Sequence, residues 1–354
     1  MGGVSGMPYK TEVKYTYEEA RKAFWATQFY KNKAGIAAVA VAVAIVIGFI
    51  INGIVTNNYE NVVIFSLVLI FYPILTYIFA SKRVKKNYES YKMIHGNTFS
   101  YAFYEDYMES DGEKGKSKIQ YSDLYKIVET KTNIYLFISS GQAFFVVKSD
   151  CSNELIAFLQ KLKKEVGNNK NSKGTPEAVD FEQLSSSLES RTDIIHKARV
   201  EWGLNEIKDF NWLLIKNEHK SLIYILVLVE VMFFAAFAMS FPAHSMRLAV
   251  ESIILVIAVP LLLYILFNFR CRKNYESNKM LRNFAAIITF DNDKLEQISN
   301  VGSLKANYDE IYRIFETDNN FYILVSDNQA INVRKANCSN EMVAFLKELK
   351  SKVA

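Results

Sequence analysis

The stretch YSDLYKIVET at residues 121–130 returns 187 residues later as YDEIYRIFET at residues 308–317. Counted from Tyr121 and Tyr308, 21 of 43 successive positions are identical, without a gap. An internal repeat with one fixed offset is the signature of a structural unit that is used more than once. The sequence therefore predicts a tandem duplication.

The same offset carries the repeat toward the N-terminus. It places Trp25 on Trp212, and it superimposes KNYES at residues 86–90 on the identical KNYES at residues 273–277. No insertion is needed from about Val13 onward. Each copy then comprises a leading segment, an apolar helical hairpin and a small polar domain.

Two apolar runs lie in matched positions in each copy, and each run has about 20 residues, the length that crosses a bilayer core as a helix. A helix in the core of a soluble protein seldom extends this far without a polar face. We predict four transmembrane helices in two hairpins, at residues 34–55, 62–80, 222–241 and 248–269.

Positive residues flank both hairpins on the same side, which favours the cytoplasm for that side. The turn of the first hairpin carries no Lys or Arg, and the turn of the second carries only Arg247. We predict a multi-pass protein of the cell membrane with both termini in the cytoplasm. The basic residues that follow the hairpins are also candidates for binding anionic lipid headgroups, although orientation alone would explain them: Lys82, Arg83, Lys85, Lys86, Arg270, Arg272 and Lys273.

The predicted domain organisation follows from the offset and from composition. The segment after residue 167 is rich in Gly, Asn, Ser and Lys, which is typical of a linker, and the part after Pro176 could form a helix. The expected divisions are a first leading segment and hairpin at 13–95, a first domain at 96–166, a linker at 167–199, a second leading segment and hairpin at 200–283, and a second domain at 284–354.

The small domains have the pattern of an α+β fold. Phe99, Tyr101 and Phe103 alternate with smaller or polar residues, a period of two that indicates a β-strand. Further short runs of β-branched and aromatic residues follow, separated by turn residues. A helical apolar stripe at 155–162 follows Ser152 and Asn153, and Ser152 or its neighbour is a candidate N-cap. A small antiparallel sheet closed by one C-terminal helix suggests a pleckstrin-homology-like fold.

The pattern Tyr-x-x-x-Tyr-x-Ile-x-Glu-Thr from Tyr121, with a later Tyr and a Lys before the last helix, resembles the bacterial YcxB-like family. The resemblance covers both copies. It implies a hairpin of two transmembrane helices followed by a compact domain. The family usually has a single unit, so a tandem pair departs from its pattern. The family has no established activity, and the resemblance implies none here.

No catalytic or metal-binding pattern stands out. The four histidines have no histidine in the matching position and no metal-ligand spacing: His95, His196, His219 and His244. Cys151 and Cys338 match each other before the last helix of each copy. Each is either a reactive thiol at a helix N-terminus or a small packing residue, and no His accompanies either one. We predict no enzyme, no cofactor and no metal site.

Two further observations concern partners. Residues 97–166 hold nine Lys or Arg against ten Asp or Glu, and residues 284–354 hold eight against ten, so no basic surface for nucleic acid or phosphoinositides is expected. Glu230 lies in the middle of the third apolar run, where a carboxyl group is costly and is a functional candidate by default. Protonated and hydrogen-bonded between helices, it could also be purely structural.

The function predicted is that of a membrane-tethered scaffold, with membrane lipids and a protein partner or self-association as its contacts. An exposed sheet edge could take a peptide by strand addition. Tyr125, Tyr312, Glu129 and Glu316 are the candidate partner-binding residues. The alternative is a transporter or ion-sensing protein that uses Glu230 within a four-helix region. Whether the two small domains pack together is left open.

Overall fold

The computed structural model describes residues 8–31, 33–139, 141–168, 186, 188, 193–218, 220–240, 246–282 and 284–353. These residues form a mixed α+β structure, and its strands pair antiparallel throughout. The predicted α+β class is therefore confirmed. The helix expected after Pro176 falls almost entirely outside the described residues.

The two repeats have the same elements in the same order, apart from the short helix α8 of the second. The first contains β1 (Tyr9–Lys14), α1 (Tyr17–Ala26), α2 (Lys33–Val55), α3 (Tyr59–Ser90), β2 (Thr98–Phe103), β3 (Tyr107–Gly112), β4 (Gly115–Gln120), β5 (Lys126–Glu129), β6 (Asn133–Phe137), β7 (Ala143–Val147) and α4 (Asn153–Asn168). The second contains β8 (His196–Val200), α5 (Leu204–Asn217), α6 (Lys220–Ser240), α7 (Met246–Ser277), α8 (Lys279–Arg282), β9 (Ala286–Phe290), β10 (Lys294–Ser299), β11 (Gly302–Asn307), β12 (Arg313–Glu316), β13 (Asn320–Ser326), β14 (Gln329–Arg334) and α9 (Asn340–Val353).

A tight turn folds α2 back on α3. Asn57 adopts a left-handed backbone conformation with φ 52°, which Asn tolerates better than most residues. Gly53 is buried beside it, and a Cβ there would lie only 2.9 Å from the Val62 side chain. The small residue thus lets the two helices pack closely as an antiparallel hairpin.

One helix meets the length and composition that a membrane span requires. Among the described residues this is Val62–Ser90, and the apolar window within it is not buried by the rest of the protein. Val39–Val55 is also apolar but shorter. The other three predicted spans are helical, and their insertion in a membrane stays a prediction.

The strands of the described residues form two antiparallel sheets. The larger has the order β1-β2-β3-β4-β11-β10-β9-β8-β14-β13-β12, and the smaller has the order β5-β6-β7. Each repeat contributes four strands and then three. The link between these two groups in the second repeat is the pair Val333–Val200.

The first strand of each domain lies before its hairpin, which differs from the predicted divisions. β1 pairs with β2, so that Tyr9 faces Phe103, and β8 pairs with β9, so that His196 faces Phe290. Thr11 and Val13 are buried and alternate with exposed residues, the period-two signal of a half-buried strand. The domains therefore begin near residues 9 and 196, and each hairpin is inserted between the first and second strands.

The C-terminal helices close the domain cores as predicted. Leu155, Leu159 and Leu162 form a buried stripe on α4, and burying each such side chain contributes about 1.5–3 kcal/mol. The hydroxyl group of Ser152 accepts a hydrogen bond from the Leu155 amide at 3.2 Å. Ser152 is thus the N-cap, and Ser339 has the same role before α9.

Candidate interaction site: the junction between the two repeats

The two repeats are joined edge to edge by equivalent strands. β4 of the first pairs antiparallel with β11 of the second, through the residue pairs Ser117–Gly302, Lys116–Ser303 and Gly115–Leu304. The 187-residue offset converts the first of these pairs into the last and maps the central pair onto itself. A pseudo-two-fold axis therefore passes through the Lys116–Ser303 pair, and the two small domains do pack together. We call this strand pair the seam.

Reciprocal hydrogen bonds extend the seam on both sides. The Lys118 amide donates to the Val301 carbonyl, and the Lys305 amide donates to the Lys114 carbonyl, each at 2.8 Å. These two bonds are equivalent under the same offset. The symmetry therefore reaches beyond the paired residues.

Lysine side chains repeat this reciprocity outside the sheet. The ammonium group of Lys92 donates to the Asp309 carbonyl at 3.0 Å, and that of Lys279 donates to the Ser122 carbonyl at 2.7 Å. Both lysines follow the second helix of a hairpin. Each hairpin thus contacts the domain of the opposite repeat.

Two equivalent glycines allow the strands to approach. A Cβ on Gly115 would collide with the Ser303 carbonyl oxygen, and one on Gly302 would collide with the Lys116 carbonyl oxygen. Gly302 also has φ +150°, a backbone region that glycine adopts at no steric cost. Close backbone contact is therefore built into the seam at both positions.

The short segment that follows each hairpin packs against the domain of the opposite repeat. Met93, just after α3, is buried in the core of the second domain, whereas its equivalent Met280 packs against the core of the first. The Asn87 amide donates to the buried Asp327 carboxylate at 2.6 Å, and the Asp327 amide donates to the Ser90 hydroxyl at 2.9 Å. These contacts fasten the end of α3 to the turn between β13 and β14.

A buried carboxylate adds a second fastening. The side chain of Glu218, directly after α5, is only 3% exposed and lies 2.7 Å from both Lys86 and Arg313. The Tyr312 hydroxyl donates to it at 3.1 Å. Burial raises the pKa of Glu218, but these neighbours lower it further, so the net pKa is below its usual value. The carboxylate is held ionised between three chain segments.

Two segments of the chain match the family described as YcxB-like protein, at residues 103–163 and 290–349. Each repeat therefore contains one segment that is similar to the YcxB-like family. The matched segments are equivalent under the offset, and each extends from the second strand of its domain into the last helix. This confirms the predicted resemblance and its tandem arrangement. A search of the curated proteins finds no match to the chain.

The basic residues that follow the two hairpins divide into two groups. Lys85 pairs with Glu89 at 3.7 Å, and Arg272 pairs with Glu276 at 2.7 Å. Together with Lys86 they are engaged within the protein. The other candidates for lipid headgroups are exposed: Lys82, Arg83, Arg270 and Lys273.

Glu129 and Glu316 hold the last helix of each unit to an edge strand. Glu129, at the end of β5, lies 2.7 Å from Lys148 and 3.1 Å from Lys163 of α4. The Lys148 and Gln160 hydrogen bonds lower the pKa of Glu129 to about 2. Lys335 and Lys350 lower the pKa of Glu316 in the same way. Both carboxylates therefore have internal partners.

We expect replacement of Glu129 or Glu316 by Gln to cost about 1 kcal/mol of unfolding free energy at pH 7, since a partly exposed ion network is broken. The folded pKa of Glu129, about 2, lies below its ordinary value of 4.5. Its stabilisation is therefore complete above pH 4.5 and is lost as the pH falls toward 2. Urea unfolding of the detergent-solubilised protein at pH 7 and pH 3 measures this.

The control for that experiment is Glu165→Gln. Glu165 is exposed on α4 and lies 4.0 Å from Lys161 on the same helix. We expect this variant to match the native protein at both pH values. If the Glu129→Gln variant had the same stability and pH dependence as this control, the ion pairs of Glu129 would not stabilise the contact between β5 and α4.

The matched tyrosines have packing roles at the same strands. Tyr125 is half-buried against the first core, and its amide donates to the Phe137 carbonyl at 2.7 Å. Tyr312 packs beside Tyr322 and Leu324, besides its bond to Glu218. The two predicted partner-binding tyrosines thus lie at the start of β5 and β12, and the junction includes the second of them.

The matched cysteines are neutral packing residues. The Cys151 thiol donates to the Val147 carbonyl at 3.2 Å, and the Cys338 thiol donates to the Arg334 carbonyl at 3.3 Å. Burial raises the pKa of both thiols. The reactive-thiol alternative is therefore disfavoured.

Histidine rings lie in aromatic contacts where the structure describes them. His95 lies 4.2 Å from Tyr88 and His196 lies 4.9 Å from Phe345 between ring centroids. His219 and His244 fall outside the described residues. Within the described part of the chain, no group of three or more His, Cys, Asp or Glu is placed to hold a metal ion.

Sequence reasoning missed the residues that make the junction. Glu218 lies 132 positions from Lys86, and Asp327 lies 240 positions from Asn87. Neither acid belongs to a recognisable motif. Sequence reasoning also missed the strand β1. The alternation around Thr11 and Val13 was the signal that would have identified it.

Proposed function

We propose that this protein is an integral membrane scaffold that presents two pleckstrin-homology-like domains as one platform in the cytoplasm. The observation that carries the proposal is the seam, because it joins strands of both repeats in one 11-stranded sheet. The exchanged contacts of Met93 and Met280 add to its rigidity. A partner would therefore meet two equivalent surfaces in a fixed arrangement.

The proposal includes four membrane-spanning helices with both termini in the cytoplasm. One helix has the required length and composition, and the outward-facing side chains of the others support the same placement. Such an apolar surface exceeds what a soluble protein leaves in water. Large exposed apolar side chains on α2, α6 and α7 include Ile45, Phe49, Ile51, Leu228, Val231, Phe234, Ile257, Leu261 and Ile265.

The strand arrangement supports the pleckstrin-homology-like assignment. Each unit has four antiparallel strands, then three, then one closing helix. In this interpretation the hairpin is an insertion after the first strand. It ties the domain to the bilayer at two points of the chain instead of one.

Partner binding is proposed at β5 and β12, which are terminal strands of the two sheets among the described residues. These equivalent strands end the smaller and the larger sheet, and an edge strand can pair with an extended segment of another protein. The edges of β4 and β11 are already used by the seam. Two equivalent edges on one platform would raise the effective concentration for a bivalent partner.

A photoreactive amino acid placed next to each edge tests this proposal. Lys131 and Asp318 are equivalent exposed residues in the turns that follow β5 and β12. We expect both positions to give an adduct of the same added mass in native membranes. Lys161 and Glu348, equivalent exposed residues on the last helices, are the controls and should give none. Equal adducts at all four positions, or only self-adducts, would contradict edge recognition.

The transport or ion-sensing alternative is favoured by one observation. Within the described residues, the Oε1 atom of Glu230 is buried and has no hydrogen-bond partner, and such an acid inside a membrane is costly. A Glu230→Gln arm of the crosslinking experiment separates the two functions. If the protein is a scaffold, the Glu230→Gln variant should give the same adducts as the native protein. A cation-dependent adduct or transport signal that is lost in this variant would support the alternative.

A further inference from the structure

A stack of aromatic rings lies where α1 meets the cytoplasmic part of the first hairpin. The Trp25 ring lies 5.8 Å from the Tyr77 ring with their planes 10° apart, and 5.5 Å from the Phe29 ring with their planes 22° apart. Tyr77 is 53% exposed and Phe29 is also exposed. Rings of this size usually bury most of their surface, so this stack faces a medium other than bulk water.

The second unit has a related contact in which the rings meet edge to face and are not stacked. Trp212 on α5 lies 6.2 Å from Phe267 of α7 between ring centroids, and it is 50% exposed. The Lys216 ammonium group lies 5.4 Å from the centre of the Trp212 ring. A tryptophan beside the return helix is thus present in both units, partly buried at Trp25 and exposed at Trp212.

The leading helices have otherwise diverged. Between residues 17–30 and the equivalent 204–217, only Glu19 and Trp25 keep their identity in the second copy. Glu19 is retained as Glu206, whose carboxylate accepts a hydrogen bond from the Gly203 amide and so caps the start of α5. Trp212 remains 50% exposed, so packing within the protein does not by itself account for a tryptophan at this position of the second copy.

Both aromatic contacts lie at the boundary between the apolar and basic parts of a helix. Tyr77 precedes the exposed Lys82 on α3, and Phe267 precedes the exposed Arg270 on α7. Tryptophan and tyrosine concentrate at the membrane–water interface, where an amphipathic ring is partly buried and partly wet. The adjoining cations suit the anionic headgroups of the cytoplasmic leaflet.

The pseudo-symmetry places the two tryptophans at one depth. Both hairpins are proposed to enter and leave the bilayer from the same side. A two-fold axis can relate two such hairpins only if it is parallel to the membrane normal. The axis through Lys116 and Ser303 is perpendicular to the local sheet, as in any antiparallel pair. The seam then lies parallel to the membrane surface.

We propose that Trp25 and Trp212 are interfacial anchors, with their rings in the headgroup region of the cytoplasmic leaflet, and that they set the height and orientation of the joined domains. This rests on the membrane-spanning arrangement proposed above. The partner surface is a bilayer that contains anionic lipid. The aromatic rings beside each tryptophan and the adjacent exposed cations make the contact.

The third tryptophan of the chain provides an internal control. Trp202 packs against Phe210 and Tyr322 in the second domain, with ring centroids 5.8 and 6.1 Å away. Variants that keep one tryptophan each are made by Phe substitution of the other two. They are placed in phosphatidylcholine–phosphatidylglycerol vesicles whose acyl chains carry bromine either near the headgroup or near the chain end. Circular dichroism and flotation confirm that each variant is folded and inserted.

We expect Trp25 and Trp212 to lose about half of their emission with bromine near the headgroup and less with deep bromine, as an interfacial ring should. Trp202 should be unaffected by either lipid. Equal quenching of all three, or stronger quenching of Trp25 and Trp212 by deep bromine, would overturn the anchor proposal while leaving membrane insertion intact. Failure of the native chain to float with the vesicles would instead overturn the membrane-spanning arrangement and the anchors with it.

Discussion

Changing Gly115 and Gly302 together to alanine is expected to open the seam. The new Cβ atoms would collide with the carbonyl oxygens of Ser303 and Lys116, which are backbone atoms and can move only if the strands separate. Overpacking of this kind costs about 1–3 kcal/mol per site. Hydrogen exchange measures the result directly, since the Lys118 and Lys305 amides bond across the seam and should lose their protection.

The matched control is Gly141→Ala in the turn before β7. A Cβ on Gly141 meets nothing within 4 Å, so exchange at the seam should be unchanged. In the double variant the amides of β6 should stay protected, which separates opening of the seam from unfolding of a domain. Native protection of Lys118 and Lys305 in the double variant would show that the seam is not closed by these contacts.

Glu218→Gln is expected to loosen the attachment of α3 to the second domain. The substitution removes the negative charge of Glu218, whose carboxylate oxygens lie 2.7 Å from the Lys86 ammonium group and 2.7 Å from the Arg313 guanidinium group. Hydrogen bonds to a charged group contribute about 1.5–3 kcal/mol each, but both cations are partly exposed, so we expect a total loss of about 1–3 kcal/mol. Chemical unfolding at pH 7 measures the loss, and hydrogen exchange at the end of α3 locates it.

The acid dependence of Glu218 has a defined sign. Its folded pKa is lower than its usual value, so its stabilisation is complete above the unfolded pKa and is lost as the pH falls through the folded one. The difference between the native protein and the variant should therefore shrink in acid. A difference that grew as the pH fell would contradict this assignment.

The control for Glu218 is Glu89→Gln on the same helix as Lys86. Glu89 is exposed and lies 3.7 Å from Lys85 within α3, a pair expected to contribute less than about 0.5 kcal/mol. Equal losses in the Glu89 and Glu218 variants would mean that the buried position of Glu218 has no special effect.

The Glu218 contact also marks where the duplication has become asymmetric. The positions equivalent to Glu218 and Lys86 are Lys31 and Lys273, two cations that cannot form an ion pair with each other. The first hairpin therefore forms an ion pair with the opposite repeat at this position. Two lysines cannot form the equivalent ion pair for the second hairpin. We expect the two hairpins to differ in how firmly they hold their domains.

The sequence alone determined the duplication, the helical hairpins and the closing helix of each unit. These features are local or periodic. The buried stripe of Leu155 and Leu159 follows the helical repeat, and the 187-residue offset holds for every pair of matched elements. Patterns of this kind can be read from one chain, because neighbouring side chains impose them.

Only the tertiary structure decided how the units are joined and what their charged residues do. The seam is made by backbone groups and by the lack of a Cβ at Gly115 and Gly302, and backbone hydrogen bonds leave no signature in side-chain pattern. Glu218 and Asp327 acquire their roles from partners more than 90 positions away. Glu129 and Glu316 are matched in the sequence, but lysines that fold back from a distant helix make them clamps. Contacts of this range depend on how whole elements pack, so the local sequence could not reveal them.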